Sequence, residues 1–251
     1  ESRRLTHLPD LDQDEACDVF YTNLEVDNYN NKMLNSLKGE MIHSAAEGMY
    51  PKGYRPTVDA KGILDNTPFM NKLSLKKGAR VILTFNVNLS DSLVNGSLGT
   101  ILDFVFDGEK LKAIIVAFDN KDTGIKQMRD HQNDCLQYKD QNGVPIYRTT
   151  LEHSLKSGGA RGKTTQFPIK LSWATTCHKL QGVTVKKGSN LVVHGHPKKK
   201  IPKNMFYVMF SRCSSSSNIF LDENVDFEQI RCDEKALNEK NRLDERSETV
   251  K

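Results

Sequence analysis

The run Gly162-Lys163-Thr164 contains the residue types that close a phosphate-binding loop. Such a loop is a glycine, four residues and then Gly-Lys-Ser/Thr, and its backbone N–H groups meet phosphate oxygens where a helix begins. Here Ser157 stands in place of the first glycine, and Pro168 falls where the new helix would need an interior N–H. The pattern therefore favours a strand that enters the apolar run at 167–171, with Lys163 on its face or edge.

A weaker alternative keeps a nucleotide site within this chain. The run IFLDE at 219–223 is an apolar strand followed by two acids, an arrangement that can hold magnesium. Lys163 and Asp222 together would then make a self-contained small ATPase. Because the loop pattern fails, the sequence disfavours this alternative.

Donors suited to phosphate oxygens follow further along the chain. His178 and Lys179 can donate to the backbone of a nucleic acid strand, and Gly182 lets a ligand approach the main chain. Arg212 offers a fixed fork of donors for a phosphoryl group. Taken singly, such residues are more often a surface histidine at 178, a solvated lysine at 179 and a salt-bridged arginine at 212.

Charge is unevenly distributed along the 251 residues. The net charge is only +4, yet residues 147–203 hold twelve Lys and Arg against one acid, Glu152. An excess of this kind indicates a polyanion partner. The five cysteines are scattered and never spaced CxxC, which argues against a zinc site and a disulfide framework and favours a reducing compartment. No apolar run is long enough to span a bilayer, so we expect no membrane association.

The elements that must position these residues form two kinds of segment: strands that alternate with helices, and short strands joined by turns. Residues 17–22 predict a strand, and Asn23 is expected to cap a helix over 24–40; residues 45–72 suggest a linker. Short strands with turns at Asn95-Gly96 and Asp107-Gly108 then predict a small barrel.

The chain then returns to strands that alternate with helices. Residues 167–182 predict a strand followed by a helix, 190–195 a strand, 205–213 a helix and 218–223 a strand. An amphipathic helix ends the chain. This order indicates an α/β domain interrupted by a β module.

Four of these stretches resemble the motifs of superfamily-one helicases. Residues 167–184 are similar to motif V of the petite-integration-frequency (PIF-like) and RecD branch, 207–213 to motif VI, and 20–30 to motif IV. Residues 75–104 resemble the SH3-like module that these helicases insert in their second motor domain. In the motif V stretch the matching residues are Thr176, His178, Lys179, Gln181, Gly182 and Thr184. Met209-Phe210 departs from the Ala-Leu usual in motif VI, a change of packing residues.

The resemblance implies an α/β fold, a second RecA-like motor domain interrupted by an SH3-like β-barrel. It divides the chain into 1–72 (first part and linker), 73–165 (β insert), 166–232 (second part) and 233–251 (C-terminal helix). It implies that Arg212 is an arginine finger, with Gln181 and Gly182 beside ATP. Single-stranded DNA would be held by Thr176, His178 and Lys179 and bordered by Lys77 and Asn95 of the insert.

The resemblance also implies what must come from elsewhere. The first motor domain, with its Walker motifs and magnesium ligands, has no counterpart in this sequence, so no metal ligand is assigned to this chain. The implied activity is ATP- and Mg2+-dependent unwinding toward the 3′ end in DNA repair, recombination or telomere maintenance, in the nucleus or mitochondrion. Helitron-like transposons encode similar helicases, and a non-enzymatic nucleic-acid-binding remnant is the alternative.

Overall fold

The computed structural model describes residues 16–59, 62–155, 160–180, 190–196, 201, 203–212, 215–222, 224–225, 238–239 and 242. The chain forms two compact units, residues 1–29 with 173–251, and residues 30–172. The predicted C-terminal helix over 233–251 lies almost wholly outside the described residues. No helix in the described ranges is both long and apolar enough to cross a membrane.

Short strands outnumber helices throughout the described ranges. In chain order, the elements are β1 (Ala16–Phe20), α1 (Asn23–Ser36), β2 (Ile42–Ala45), β3 (Glu47–Met49), β4 (Lys72–Leu75), β5 (Arg80–Leu83), β6 (Leu98–Asp107), β7 (Lys110–Phe118), α2 (Ile125–Asp130), α3 (Gln132–Cys135), β8 (Gly143–Tyr147), β9 (Thr149–Ser154), β10 (Arg161–Gln166), β11 (Ile169–Leu171), β12 (Ala174–Thr176), β13 (Asn190–Val193), α4 (Lys203–Phe210) and β14 (Ile219–Leu221).

The first unit is built on a parallel sheet with strand order β12-β1-β13-β14. β1 pairs in parallel with both β12 and β13, and β13 pairs in parallel with β14. The carboxyl ends of all four strands therefore meet at one edge. The predicted strands at 17–22, 190–195 and 218–223 are confirmed, each with slightly shifted ends.

The core of the first unit joins this sheet to α4. Val19, Leu191 and Val193 are completely buried in the sheet, and α4 covers them with Phe206 and Met209. Met209 is 1% exposed, so the departure from the usual motif VI pattern lies in the core, as expected for a packing residue.

Two local predictions in this unit were wrong. The cap of α1 is Thr22, not Asn23: the Thr22 Oγ1 accepts from the Glu25 N–H at 3.3 Å, and the Glu25 carboxylate accepts from the Thr22 N–H at 2.9 Å. This reciprocal pair is a capping box. The expected helix after residue 171 is replaced by β12 and a single 3-10 turn over Cys177–Leu180.

The second unit is made of antiparallel sheets. The largest has the order β11-β5-β6-β7-β8, and the others are β3-β10-β9 and β2-β4. The tight turn at Asn95-Gly96 is confirmed: Gly96 has φ +100°, and the Ser97 N–H donates to the Val94 carbonyl. The expected linker over 45–72 is wrong at its start, because β3 pairs with β10. The unit extends beyond the predicted insert at 73–165 in both directions, and that boundary stays a prediction.

The Gly162-Lys163-Thr164 run lies within β10, which excludes a phosphate-binding loop. Lys163 pairs with Met49 of β3 and Glu152 of β9 in antiparallel register. The alternative of a self-contained ATPase built on Lys163 is therefore wrong, because a strand has no helix N-terminus to present to phosphate.

The glycine and threonine of this run serve the packing of Tyr50. A Cβ on Gly162 would lie 2.7 Å from Tyr50 Cδ1, so only glycine leaves room for the ring. Thr164 is fully buried, and its hydroxyl lies 2.7 Å from the Tyr50 hydroxyl and 2.9 Å from His153 Nε2.

Candidate nucleic-acid and nucleotide interface

The turn that follows β12 presents two donors at the carboxyl edge of the parallel sheet. In a 3-10 turn, residues three apart lie on one side. Cys177 and Leu180 accordingly point into the core, at 0% and 4% exposure. His178 and Lys179, between them, are exposed. The two residues that the sequence singled out for phosphate contact are thus the two that solvent can reach.

His178 and Lys179 are free of ion pairs within the described part of the chain. The His178 ring lies 5.9 Å from the ring of Tyr21, which follows β1 at the same edge, and its Nδ1 lies 3.5 Å from the Cys177 sulfur. Burial raises the pKa of the Cys177 thiol. The thiol therefore stays neutral at pH 7 and adds no negative charge beside the two donors.

Thr176 is placed differently from its neighbours. It is the last residue of β12, pairs with Phe20 of β1, and is 4% exposed. Its position fixes where the turn leaves the sheet, while its side chain offers little surface to a ligand. Gln181 and Gly182, expected beside ATP, lie outside the described residues.

Arg212 lies just beyond the end of α4. Its Nε donates to the Val208 carbonyl at 3.2 Å, and its Nη2 donates to the Ser211 hydroxyl at 2.8 Å. No carboxylate among the described residues pairs with it. Its partners in the described part of the chain are therefore neutral oxygens at the end of its own helix.

α4 packs directly against the turn that carries His178. Phe206 and Met209 share one core with Cys177 and Leu180. A shift of α4 would therefore displace the turn, because the side chains between them are close-packed. The structure brings together the turn at 177–180 and α4, which lie in the stretches that resemble motif V and motif VI.

Asn95 and Lys77, the two candidate DNA contacts in the second unit, differ in how freely their side chains can reach a ligand. Asn95 is exposed at its turn, where its backbone N–H donates to Asn86 Oδ1 at 2.7 Å. Lys77 is 61% exposed but forms a salt bridge with Asp103, which also accepts a hydrogen bond from the Tyr138 hydroxyl. Contact of Lys77 with a phosphate would have to compete with Asp103.

A buried charged cluster at the same edge of the parallel sheet was not predicted from the sequence. His194 follows β13, with Nε2 2.6 Å from Asp18 Oδ1 and Nδ1 3.1 Å from Asp222 Oδ2. The Tyr29 hydroxyl donates to the other Asp18 oxygen at 2.9 Å. The only hint in the sequence is that His194 and Asp222 each directly follow an apolar strand.

The charge states in this cluster follow from its contacts. Burial by itself would lower the pKa of His194, but the hydrogen bonds to Asp18 and Asp222 and their charges outweigh it and raise the pKa to about 9. Burial acts to raise the pKa of Asp222, and the hydrogen bonds from His194 and the Gly195 N–H lower it overall. Burial, together with the Asp18 charge, raises the pKa of Tyr29. His194 is therefore an imidazolium between carboxylates at neutral pH.

Comparison with known proteins identifies the group to which the chain is related. No family model matches it. The ATP-dependent DNA helicase Pif1 of Campylobacter jejuni is 26% identical over 165 residues, 66% of this chain and 34% of that protein. The PIF1 helicases of Emericella nidulans and Homo sapiens are 27% and 26% identical over 82% and 83% of this chain. The chain is a Pif1-like homologue.

Solved Pif1 structures share the fold of this Pif1-like chain. Pif1 from Candida albicans aligns over 91% of the chain with a TM-score of 0.62 and 21% identity, and Bacteroides Pif1 bound to ssDNA over 92% with 0.57 and 20%. These matches confirm a mixed α/β fold of the Pif1 type. The chain spans about a third of the length of the curated relatives, 34%, 30% and 27% of the first three.

Proposed function

We propose that this Pif1-like chain forms the second motor domain of an ATP-dependent DNA helicase that moves along single-stranded DNA toward the 3′ end. In this proposal the parallel sheet is a RecA-like domain, and the antiparallel unit contains the SH3-like insert. The observation that carries the proposal is the turn at 177–180, which exposes His178 and Lys179 while packing against α4, the helix that ends two residues before Arg212.

His178 and Lys179 would hold the DNA backbone. Both lie exposed at the carboxyl edge of a parallel sheet, which is where open α/β folds bind their ligands. Lysine binds phosphate as a point charge, and its contacts are independent of sequence. Asn95 would add a contact from the second unit.

Arg212 would act as an arginine finger. Its fork of donors is unpaired by any described carboxylate and sits at the end of a helix that shares a core with the DNA-contacting turn. Such a fork stabilises charge that develops on a transferring phosphoryl group. The described residues include no cluster of three or more His, Cys, Asp or Glu able to hold a metal ion. In this proposal the magnesium ligands belong to a first motor domain, and Gln181 and Gly182 lie beside ATP.

The biological setting follows the same resemblance. We place the protein in DNA repair, recombination or telomere maintenance, in the nucleus or mitochondrion, with a transposon origin as a second possibility. These roles rest on the relationship to the Pif1 helicases alone.

The experiment compares the chain by itself with a longer form that adds a first motor domain. The chain alone should bind single-stranded DNA in a salt-sensitive manner without hydrolysing ATP. The longer form should unwind a duplex that carries a 5′ single-stranded tail, and Arg212→Ala should abolish unwinding while leaving single-strand binding in place.

Two controls sharpen this test. Arg212→Lys keeps the charge but loses the fork, so it should also fail, because a single ammonium does not reproduce bidentate contacts. Arg129→Ala, which removes an exposed arginine of α2, should leave unwinding unchanged. Unwinding that survives Arg212→Ala would refute the arginine finger, and single-strand binding without unwinding in the longer form would favour the non-enzymatic alternative.

A further inference from the structure

One buried histidine ties the carboxyl ends of β13 and β14 to the middle of β1 in the parallel sheet. His194 follows β13, Asp18 lies in β1 and Asp222 follows β14; with Tyr29 of α1 they form what we call the His194 clamp. The side chains of His194, Asp18 and Asp222 are 8%, 6% and 12% exposed. The clamp is therefore a desolvated charge cluster that joins segments far apart in sequence.

Backbone contacts hold the same segments close together. Asp222 Oδ1 accepts from the Gly195 N–H at 2.9 Å and from the Asn224 N–H at 3.0 Å. A Cβ on Gly195 would lie 2.0 Å from the Asn224 carbonyl oxygen, so the two segments approach as closely as a glycine permits. The His194 ring is also stacked on Phe20, with 4.1 Å between centroids and 5° between planes. The ring cannot turn away from its two carboxylates without breaking this packing.

The clamp is not arranged as a metal site. The carboxylates of Asp18 and Asp222 approach opposite nitrogens of the ring, so the three side chains do not converge on one point. What the geometry requires is a proton on each nitrogen, because each must donate to a carboxylate. A neutral imidazole has a single N–H.

We propose that the His194 clamp is a pH-responsive lock: protonated His194 fastens the segments after β13 and β14 to β1, and loss of one proton releases the segment after β14. The retained N–H would stay with Asp18, the shorter and more buried contact. The lone pair of Nδ1 would then face Asp222 Oδ2 at 3.1 Å, an unfavourable contact in a buried place. Asp222 would keep its backbone donors but lose the charge that holds it inward.

The charged and titratable groups around the ring are consistent with this assignment. Within the described residues they are Asp18 from β1, Tyr29 from α1 and Asp222 from the segment after β14. His196, two residues along, pairs instead with Glu25 of α1 at 3.9 Å. Both groups in direct ion-pair contact with His194 are carboxylates, which favour its charged form.

The direction of the pH effect follows from linkage. The pKa of His194 is raised in the folded state, to about 9 from its ordinary 6.5. The stabilisation is therefore complete below about pH 6.5 and is lost as the pH rises through 9. The folding equilibrium constant should fall roughly a hundredfold between pH 6 and pH 9.5 through this group.

The test measures reversible unfolding of the 251-residue chain between pH 6 and pH 9.5. His194→Gln should remove the roughly hundredfold decline relative to wild type, whereas His43→Gln, which changes an exposed histidine of β2, should keep it. Hydrogen exchange of residues 222, 224 and 225 should accelerate toward pH 9.5 in the wild type, beyond the intrinsic pH dependence seen at the tips of exposed loops.

If His194→Gln does not fold, a direct titration of His194 in the wild type still tests the proposal. The imidazole NMR signals of His194 in the wild type should titrate near pH 9, and Asp222→Asn should shift that titration to lower pH. A His194 titration below pH 7, or equal pH dependence of stability in the His194→Gln and His43→Gln variants, would overturn the lock.

Discussion

Replacing Gly162 by alanine should destabilise the second unit without affecting any nucleotide chemistry. A Cβ at this position would lie 2.7 Å from Tyr50 Cδ1 and 2.9 Å from Leu155 Cδ2, both below the 3.0 Å that real Cβ contacts respect. Tyr50 cannot move freely, because its hydroxyl lies 2.7 Å from that of the fully buried Thr164. The added methyl group therefore forces the ring or the strand to shift.

The magnitude follows from the cost of overpacking. An extra methyl group in a close-packed interior typically costs about 1–3 kcal/mol in the free energy of unfolding. For a domain of this size, about 1 kcal/mol corresponds to a shift of roughly 2–4 °C in the melting temperature. Gly162→Ala should thus lower the melting temperature by roughly 2–12 °C. Combined with Tyr50→Ala, the glycine substitution should cost clearly less than it does alone, because the ring it strikes is gone.

The assay is thermal and urea unfolding of the purified chain, followed by circular dichroism. Lys163→Ala is the matched control: its side chain is exposed on the same strand, so its effect should stay within about 0.5 kcal/mol. Unchanged stability of Gly162→Ala would contradict a packed structural strand at residues 161–166. Loss of nucleotide binding in either variant, with the chain otherwise stable, would also contradict it.

Three further outcomes are expected. Leu180→Ala should cost about 2–5 kcal/mol in urea unfolding, because a 4%-exposed side chain is removed from the core under the donor turn; a cost below about 1 kcal/mol would contradict that packing. Thr22→Ala should cost about 1 kcal/mol by loss of the capping box, whereas Asn23→Ala should be nearly silent, and the reverse order would restore the cap expected from sequence. Lys179→Ala should weaken single-strand binding and reduce its slope against log salt by about 0.7, with Lys121→Ala as a control that changes neither; an unchanged slope would remove Lys179 from the phosphate contacts.

Local features of the fold were readable from the sequence because their causes are local. The strand at 190–193 is a short apolar run, and the turn at Asn95-Gly96 needs a residue with positive φ. Helix α1 was predicted, yet its cap was misplaced by one residue, since Thr22 and Asn23 are both good caps and only the Glu25 partner distinguishes them. The failure of the Gly-Lys-Thr run as a phosphate loop was also predictable, because a proline follows it.

Only part of the candidate site could be predicted from the sequence. His178, Lys179 and Arg212 were picked from motif spacing, but nothing local showed that Thr176 would be buried or that Lys77 would be paired with Asp103. Burial and pairing depend on which strands become neighbours. The packing of α4 on the 177–180 turn likewise depends on the sheet order.

By itself the sequence determined the strands after residues 16, 189 and 218, helix α1, the Asn95-Gly96 turn, the donor residue types at 178, 179 and 212, and the relationship to Pif1 helicases. Only the tertiary structure decided that Gly162 leaves room for the Tyr50 ring and that His194 contacts Asp18 and Asp222. His194 and Asp18 are 176 residues apart in the chain and 2.6 Å apart in the fold. No local propensity encodes that contact, because it exists only once β1 has been inserted between β12 and β13 and its side chains face those of the neighbouring strands.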